Sequence, residues 1–396
     1  MRKRKKQKNK GITLIALVIT IIVLLILAGI SIATLTGENG ILTRANEART
    51  QTEEAEEDEL RKLTQAEAAT HLEEYEYEDP SGEEVTIPAK CAVSQVEGEN
   101  TLENGLVIID ANGNEWVWIE IPKSEMPEGL TFDNNADYTT LETALQTYAA
   151  DYRGGYVDEW YEGCGLEEAE YTTYKKGMLK SIYENGGFYI GRYEVGSFDN
   201  PVTAEDTTRK AVVQKGVYPY NYVTCSQAQE ISEQLTIGEK TTSLMFGIQW
   251  DLVLKFIETK NQKNYSELRV DSSTWGNYGY STFQLDRNSK YSILSKSYEI
   301  GNWNTVTNSY VKQNSGTENW VILSTGAAKR NSVLNIYDLA GNMAEWTLEQ
   351  GTLGDPICVN RGGFLDSDSI RYVSGRASDD ITGSRCNIGF RTTLYL

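Results

Sequence analysis

Chemistry in a protein starts from nucleophiles, imidazoles and metal ligands, and this sequence holds few of them. Its cysteines, Cys91, Cys164, Cys225, Cys358 and Cys386, are scattered and odd in number, which makes neither a disulfide framework nor a zinc site. At most two bridges can form. Cys358 and Cys386 flank a glycine-containing segment and can pair; two separate buried thiols are the alternative, since free cysteine packs as a small hydrophobe. The only histidine is His71, in a charged stretch with helical composition. A Ser-His-Asp triad, a Cys-His dyad and a multi-histidine metal site all need imidazole near the chemistry, so each is disfavoured.

Charge narrows the partners. The chain has 396 residues and a net charge of −20, and seven of its 37 basic side chains fall within the first eleven residues. The remainder sets 30 basic against 57 acidic groups, a surface that repels phosphate backbones and shows no basic stripe, so nucleic acid is not an expected partner.

The elements that must position any site begin with an address. Residues 1–11 form a basic leader, and Ile12 to Leu35 is an almost unbroken apolar run. At 1.5 Å per residue such a run, taken as residues 12–36, is long enough to cross a hydrocarbon core of about 30 Å. The expectation is therefore a single-pass cell-membrane protein whose basic end stays in the cytoplasm and whose C-terminal domain is extracellular. The only processing point consistent with the run lies before it, between Gly11 and Ile12, which resembles a type IV prepilin leader. That resemblance implies cleavage after Gly11 and pilin-like subunits as partners in a pilus. Pilins usually carry Glu at the fifth mature position, where this chain has Ala16; loss of that carboxylate weakens filament assembly and leaves anchoring untouched. Residues 37–74, rich in Ala, Glu, Leu, Arg and Gln after the Gly37 to Gly40 punctuation, predict a helical stalk.

From residue 75 to 396 the helical period gives way to short alternating and aromatic runs. Asn112-Gly113-Asn114 between two apolar segments predicts a hairpin, and the acidic, Tyr-rich stretch near 126–175 predicts a surface insertion. Gly186 to Val195 alternates as a half-buried strand. Pro219 to Ser232 reads as a strand entering a helix, with Ser226 as N-cap and Gln229 completing a capping box. Thr241 to Ile257 reads as a turn into an amphipathic helix. Asn335 to Trp346 (NIYDLAGNMAEW), Arg361-Gly362-Gly363-Phe364 and Asn387-Ile388-Gly389-Phe390-Arg391 complete the series.

In this order the segments resemble the formylglycine-generating-enzyme (sulfatase-modifying-factor) family over roughly residues 185–396. The resemblance implies an irregular, C-type-lectin-like α+β domain, so the fold expected of the chain is α+β, a long N-terminal transmembrane/stalk helix followed by that domain. Two departures stand out. Cys225 replaces a usual Trp, and little beyond Leu244 and Trp250 survives of the third motif. Family oxidases hold Cu(I) between two cysteines after the R-G-G motif; residues 364–385 contain none, and Ser367 stands near the place of the first. No copper and no oxidase activity are expected. The family's G-N-x-x-E-W motif can hold calcium, which makes Asn342, Glu345 and the carbonyl of Met343 candidate ligands, or else a buried polar network around Trp346. Arg391 is expected to clamp carbonyls or a carboxylate such as Asp338. In lectin-like relatives the segment before G-F-R forms the ligand face; here it offers Asp366, Asp368, Arg371, Tyr372, Arg376, Asp379 and Asp380, as a recognition face or a solvated loop. The resulting expectation is a non-catalytic adhesin or receptor-like pseudoenzyme with an extracellular glycan or protein ligand. A structural pilin subunit and an enzyme of the same family are its rivals.

Overall fold

The computed structural model describes residues 18–28, 40–200, 206–237, 240–307, 310–314, 319–351, 357–366 and 371–396. They divide into two compact units with the boundary between Leu60 and Arg61. The first holds a helix over residues 18–28 and most of helix α1, Ile41–Ala68.

The transmembrane expectation is corrected here. Among the described residues no helix is long and apolar enough to cross a membrane. The single-pass cell-membrane placement and the long transmembrane/stalk helix fall with it. Helix α1 ends at Ala68, with Thr64 and Ala68 buried, so its last two turns belong to the second unit rather than to a free stalk. The leader, including Gly11 and Ile12, lies outside the described residues.

The second unit is mixed α+β, and two of its seven sheets among the described residues frame the site. The larger has six strands: β1 (Cys91–Val93), β2 (Val107–Asp110), β3 (Glu115–Glu120), β4 (Gly187–Gly191), β5 (Thr241–Leu244) and, from the chain end, β10 (Thr392–Tyr395). Their order is β1-β2-β3-β4-β10-β5, antiparallel throughout. The expected hairpin joins β2 to β3, where Asp110 Oδ1 accepts from the amides of Asn112 and Asn114 and pins the turn. Strand β4 is buried on both faces, not half-buried as its alternation suggested, because neighbours on both edges and layers above and below cover Phe188, Tyr189 and Ile190.

The smaller sheet is formed by β6 (Ala344–Gln350), β7 (Ile357–Arg361), β8 (Arg376–Asp380) and β9 (Ile388–Phe390), in the order β8-β7-β6-β9. Only the β6 and β9 pair runs parallel. Four helices pack on this framework: α2 (Asn135–Tyr148), α3 (Glu168–Asn185), α4 (Cys225–Glu233) and α5 (Gly247–Thr259). The stretch expected as a surface insertion supplies α2 and the start of α3. Leu141, Leu145, Tyr161, Cys164 and Tyr171 from it are buried in the main hydrophobic core. Helix α4 starts two residues earlier than expected: Thr224 is the N-cap and Gln227 completes the box, while Gln229 is buried and accepts from the Leu244 amide.

Candidate functional site

Three buried charge systems hold the loops in place. Arg192 bridges Glu115 and Glu99 at 2.9 and 2.7 Å, and Arg61 from the end of α1 reaches the same carboxylates at 3.0 and 2.7 Å. A second system sets Arg153, Arg361 and Arg376 against Asp158, Asp251 and Glu349. Asp158 also accepts from the amides of Gly247 and Ile248 at 2.8 and 3.0 Å, so a residue of the acidic stretch caps α5 from a distance.

The third system contains the candidate calcium ligands. Asn342 Oδ1 accepts from Asn277 Nδ2 at 3.0 Å and from the Leu323 amide at 2.9 Å, while its Nδ2 donates to Glu194 at 3.0 Å. The Met343 amide donates to the same carboxylate at 3.0 Å. Both oxygens of Glu345 accept from Arg391, at 3.0 and 2.7 Å, and the remaining Arg391 donors reach the carbonyls of Gly191 and Tyr337. Arg391 is thus a clamp whose carboxylate is Glu345 rather than Asp338. These side-chain oxygens are taken up by the protein's own donors, and calcium wants six to eight oxygens, so the arrangement does not fit a calcium ion. Gly341 (φ 74°) is required here, because a Cβ would run into the backbone of Asn277.

Excess negative charge remains in this buried region. Burial raises Glu345 to about 7 and Asp338 to about 6, in each case against the pull of Arg391. Glu194 is pushed well above the usual carboxylate range by burial and by the neighbouring charges of Asp338 and Glu345. The three acids form a buried polar network whose affinity for protons is raised by burial.

The sulfur atoms are arranged differently. Cys225 and Cys358 meet in the core, both fully buried, with the Tyr161 hydroxyl 3.5 Å from the Cys225 sulfur. A hydrogen bond with the Cys358 thiol, followed by burial, pushes the Cys225 thiol well above its ordinary range. Cys358 does not pair with Cys386; all five cysteines are free thiols.

Cys386 lines a cleft of about 540 Å³ beside the smaller sheet, together with Tyr222, Tyr298, Phe364 and Arg385. Of the seven candidate ligand residues, the structure brings Asp366 and Asp379 to this cleft. Asp366 accepts from the Tyr298 hydroxyl at 2.8 Å and from Asn387 Nδ2 at 3.3 Å. Asp379 is paired with Arg385. Arg376 points the other way into the buried charge system, Asp380 binds its own turn at Thr382, and Arg371 and Tyr372 do not line the cleft. Asp368 lies outside the described residues.

Asn360, on β7 directly opposite Ala377 of β8, and Asn387, just before β9, also line the cleft. Both are at least nine-tenths buried, at 2% and 5% exposure, yet among the described residues Asn360 Nδ2 and Asn387 Oδ1 have no hydrogen-bond partner. Buried amide atoms are nearly always satisfied, so these two residues of the cleft wall call for an explanation. Sequence reasoning missed both. Their available signal was position, one residue before R-G-G and at the first residue of N-I-G-F-R.

No family profile and no curated protein matches this chain. Among solved structures, the crystal structure of CarF is similar over 53% of this chain and 87% of its own, at 13% identity and a TM-score of 0.34, a likeness too slight to carry an argument.

Proposed function

We propose that this chain is a non-catalytic binding protein of formylglycine-generating-enzyme-like type, and that the cleft between β7, β8 and the Tyr222 and Tyr298 loops is its recognition site. The observation that carries this reading is a cleft of ligand size lined by Tyr222, Tyr298, Phe364 and Asp366, whose wall includes Asn360 and Asn387, each with an amide atom unpartnered among the described residues. Absence of oxidase chemistry has separate support. Residues 364–385 hold no cysteine, and Cys386 is the one thiol lining the cleft among the described residues. Its pKa is pushed up to about 11, chiefly by burial, so it sits as the neutral thiol.

One observation favours an oxidase as a second reading: Cys225 and Cys358 are in contact. A copper centre needs an open coordination position that substrate can reach, and these sulfurs are sealed behind Tyr161 with no exposure. Full-length protein on glycan and protein arrays tests the binding reading, with Asn360→Ala as control; hits that the variant loses support it. Conversion of a cysteine peptide to formylglycine by copper-supplemented protein would replace it with the oxidase reading.

A further inference from the structure

The atoms lining the cleft are more selective than its size. Arg385 and Asp379 neutralise each other through two hydrogen bonds. Asp366 is left with neutral partners only, the Tyr298 hydroxyl and Asn387 Nδ2, and has no cation in ion-pair range among the described residues. The cleft therefore keeps one uncompensated negative charge. A carboxylate offers about four lone-pair sites, of which these partners use two.

Asn387 adds an acceptor with a fixed direction. Because its Nδ2 donates to Asp366, which can only accept, the amide cannot be turned over, and Oδ1 is left as the unpartnered atom. Ser384 Oγ, also unpartnered, lies in the same lining. Asp366 and Asn387 Oδ1 only accept, the Ser384 hydroxyl can accept or donate, and the net negative charge calls for a positively charged donor. The rings of Tyr222, Tyr298 and Phe364 supply walls against which a cation is stabilised by the aromatic quadrupole. The Asn360 amide makes no side-chain hydrogen bond among the described residues, so it offers a further polar group, donor or acceptor, at the same wall. Phosphates and carboxylates are disfavoured by the charge of Asp366.

We propose that the cleft binds an organic ammonium ion that carries a further polar group on its carbon skeleton, the ammonium seated against Asp366 and the rings of Tyr222, Tyr298 and Phe364, and the polar group toward the asparagine wall. This rests on reading the cleft as a recognition site. Two sources share the chemistry, a lysine side chain with its neighbouring peptide carbonyl and an amino sugar.

Isothermal titration of the full-length protein against two matched pairs separates them: N-α-acetyl-lysine amide with N-α-acetyl-norleucine amide, and glucosamine with glucose. The ammonium member of at least one pair is expected to bind five- to tenfold more tightly than its neutral partner. That preference should shrink in 0.5 M salt and vanish in Asp366→Asn, with near-UV circular dichroism confirming that the variant is folded. The responding pair identifies the source. Equal affinity within both pairs, a preference that survives Asp366→Asn, or no binding by any of the four would overturn the proposal. The array experiment with Asn360→Ala stands apart from these outcomes, since a neutral ligand found there keeps the recognition site and removes only the ammonium.

Discussion

At the scale of single residues, the strongest constraints are buried guanidiniums. Arg391 holds Glu345 and two carbonyls with no exposure to solvent. Removing one partner of a buried pair leaves the other charge desolvated and alone, which typically costs about 3–5 kcal/mol. Arg391→Ala should lower unfolding free energy by about that amount in urea titrations, and Glu345→Gln in the same background should recover part of it. A loss under about 1 kcal/mol would mean that the pair is solvated. The sequence showed Arg391 as a clamp for carbonyls or a carboxylate such as Asp338; it holds two carbonyls, and its carboxylate is Glu345 because the parallel pairing of β6 and β9 sets Glu345 opposite Gly389. Asn342 and Glu345 were legible as important polar groups. Their commitment to Asn277, Leu323 and Arg391 was not, since those partners come from distant segments.

At the scale of elements, the caps show where local signals suffice. Thr224 accepts from the Gln227 amide and Gln227 reaches back to the Thr224 amide, so Thr224→Ala should destabilise by about 1 kcal/mol, read from the same urea titrations, whereas Ser226→Ala should be near neutral. Equal effects from the two substitutions would return the helix start to Ser226. Helix α5 is the contrasting case, because its first amides are satisfied by Asp158, about ninety residues earlier in the chain. No local pattern announces that, and it explains why the Tyr-rich stretch, legible as polar surface, is core. Asp158→Ala removes this cap and one acid from the Arg153 system. It should cost about 3 kcal/mol or more, and a value near zero would show that α2 and α3 are loosely attached. The β2 to β3 hairpin was fully readable because its turn residues act within four positions. The membrane-spanning expectation rested on hydropathy, which reports composition; among the described residues no helix is long and apolar enough to cross a membrane.

For the whole molecule, the buried acids set a pH dependence. Asp338 and Glu345, raised by burial to about 6 and about 7, bind protons more tightly when folded than when unfolded. Their contribution is most favourable below the unfolded values near 4 and is lost as pH climbs through the folded ones. Glu99 has the reverse sign. Burial alone would raise it, but Arg192 and Arg61 prevail and hold it at about 2, so its contribution is present above pH 4 and fades as pH falls toward 2. Stability should therefore peak near pH 4–5 and decline toward pH 8, as urea midpoints across that range would show; a midpoint that rises from pH 5 to 8 would contradict the buried acidic network. The central claim, that the cleft beside β7 and β8 recognises a ligand, is tested most directly by titrating each array hit against wild-type protein and the Asn360→Ala/Asp366→Asn double variant. The account predicts that hits bind wild type and lose at least tenfold in affinity with the double variant. Unchanged affinity would place recognition elsewhere on the molecule.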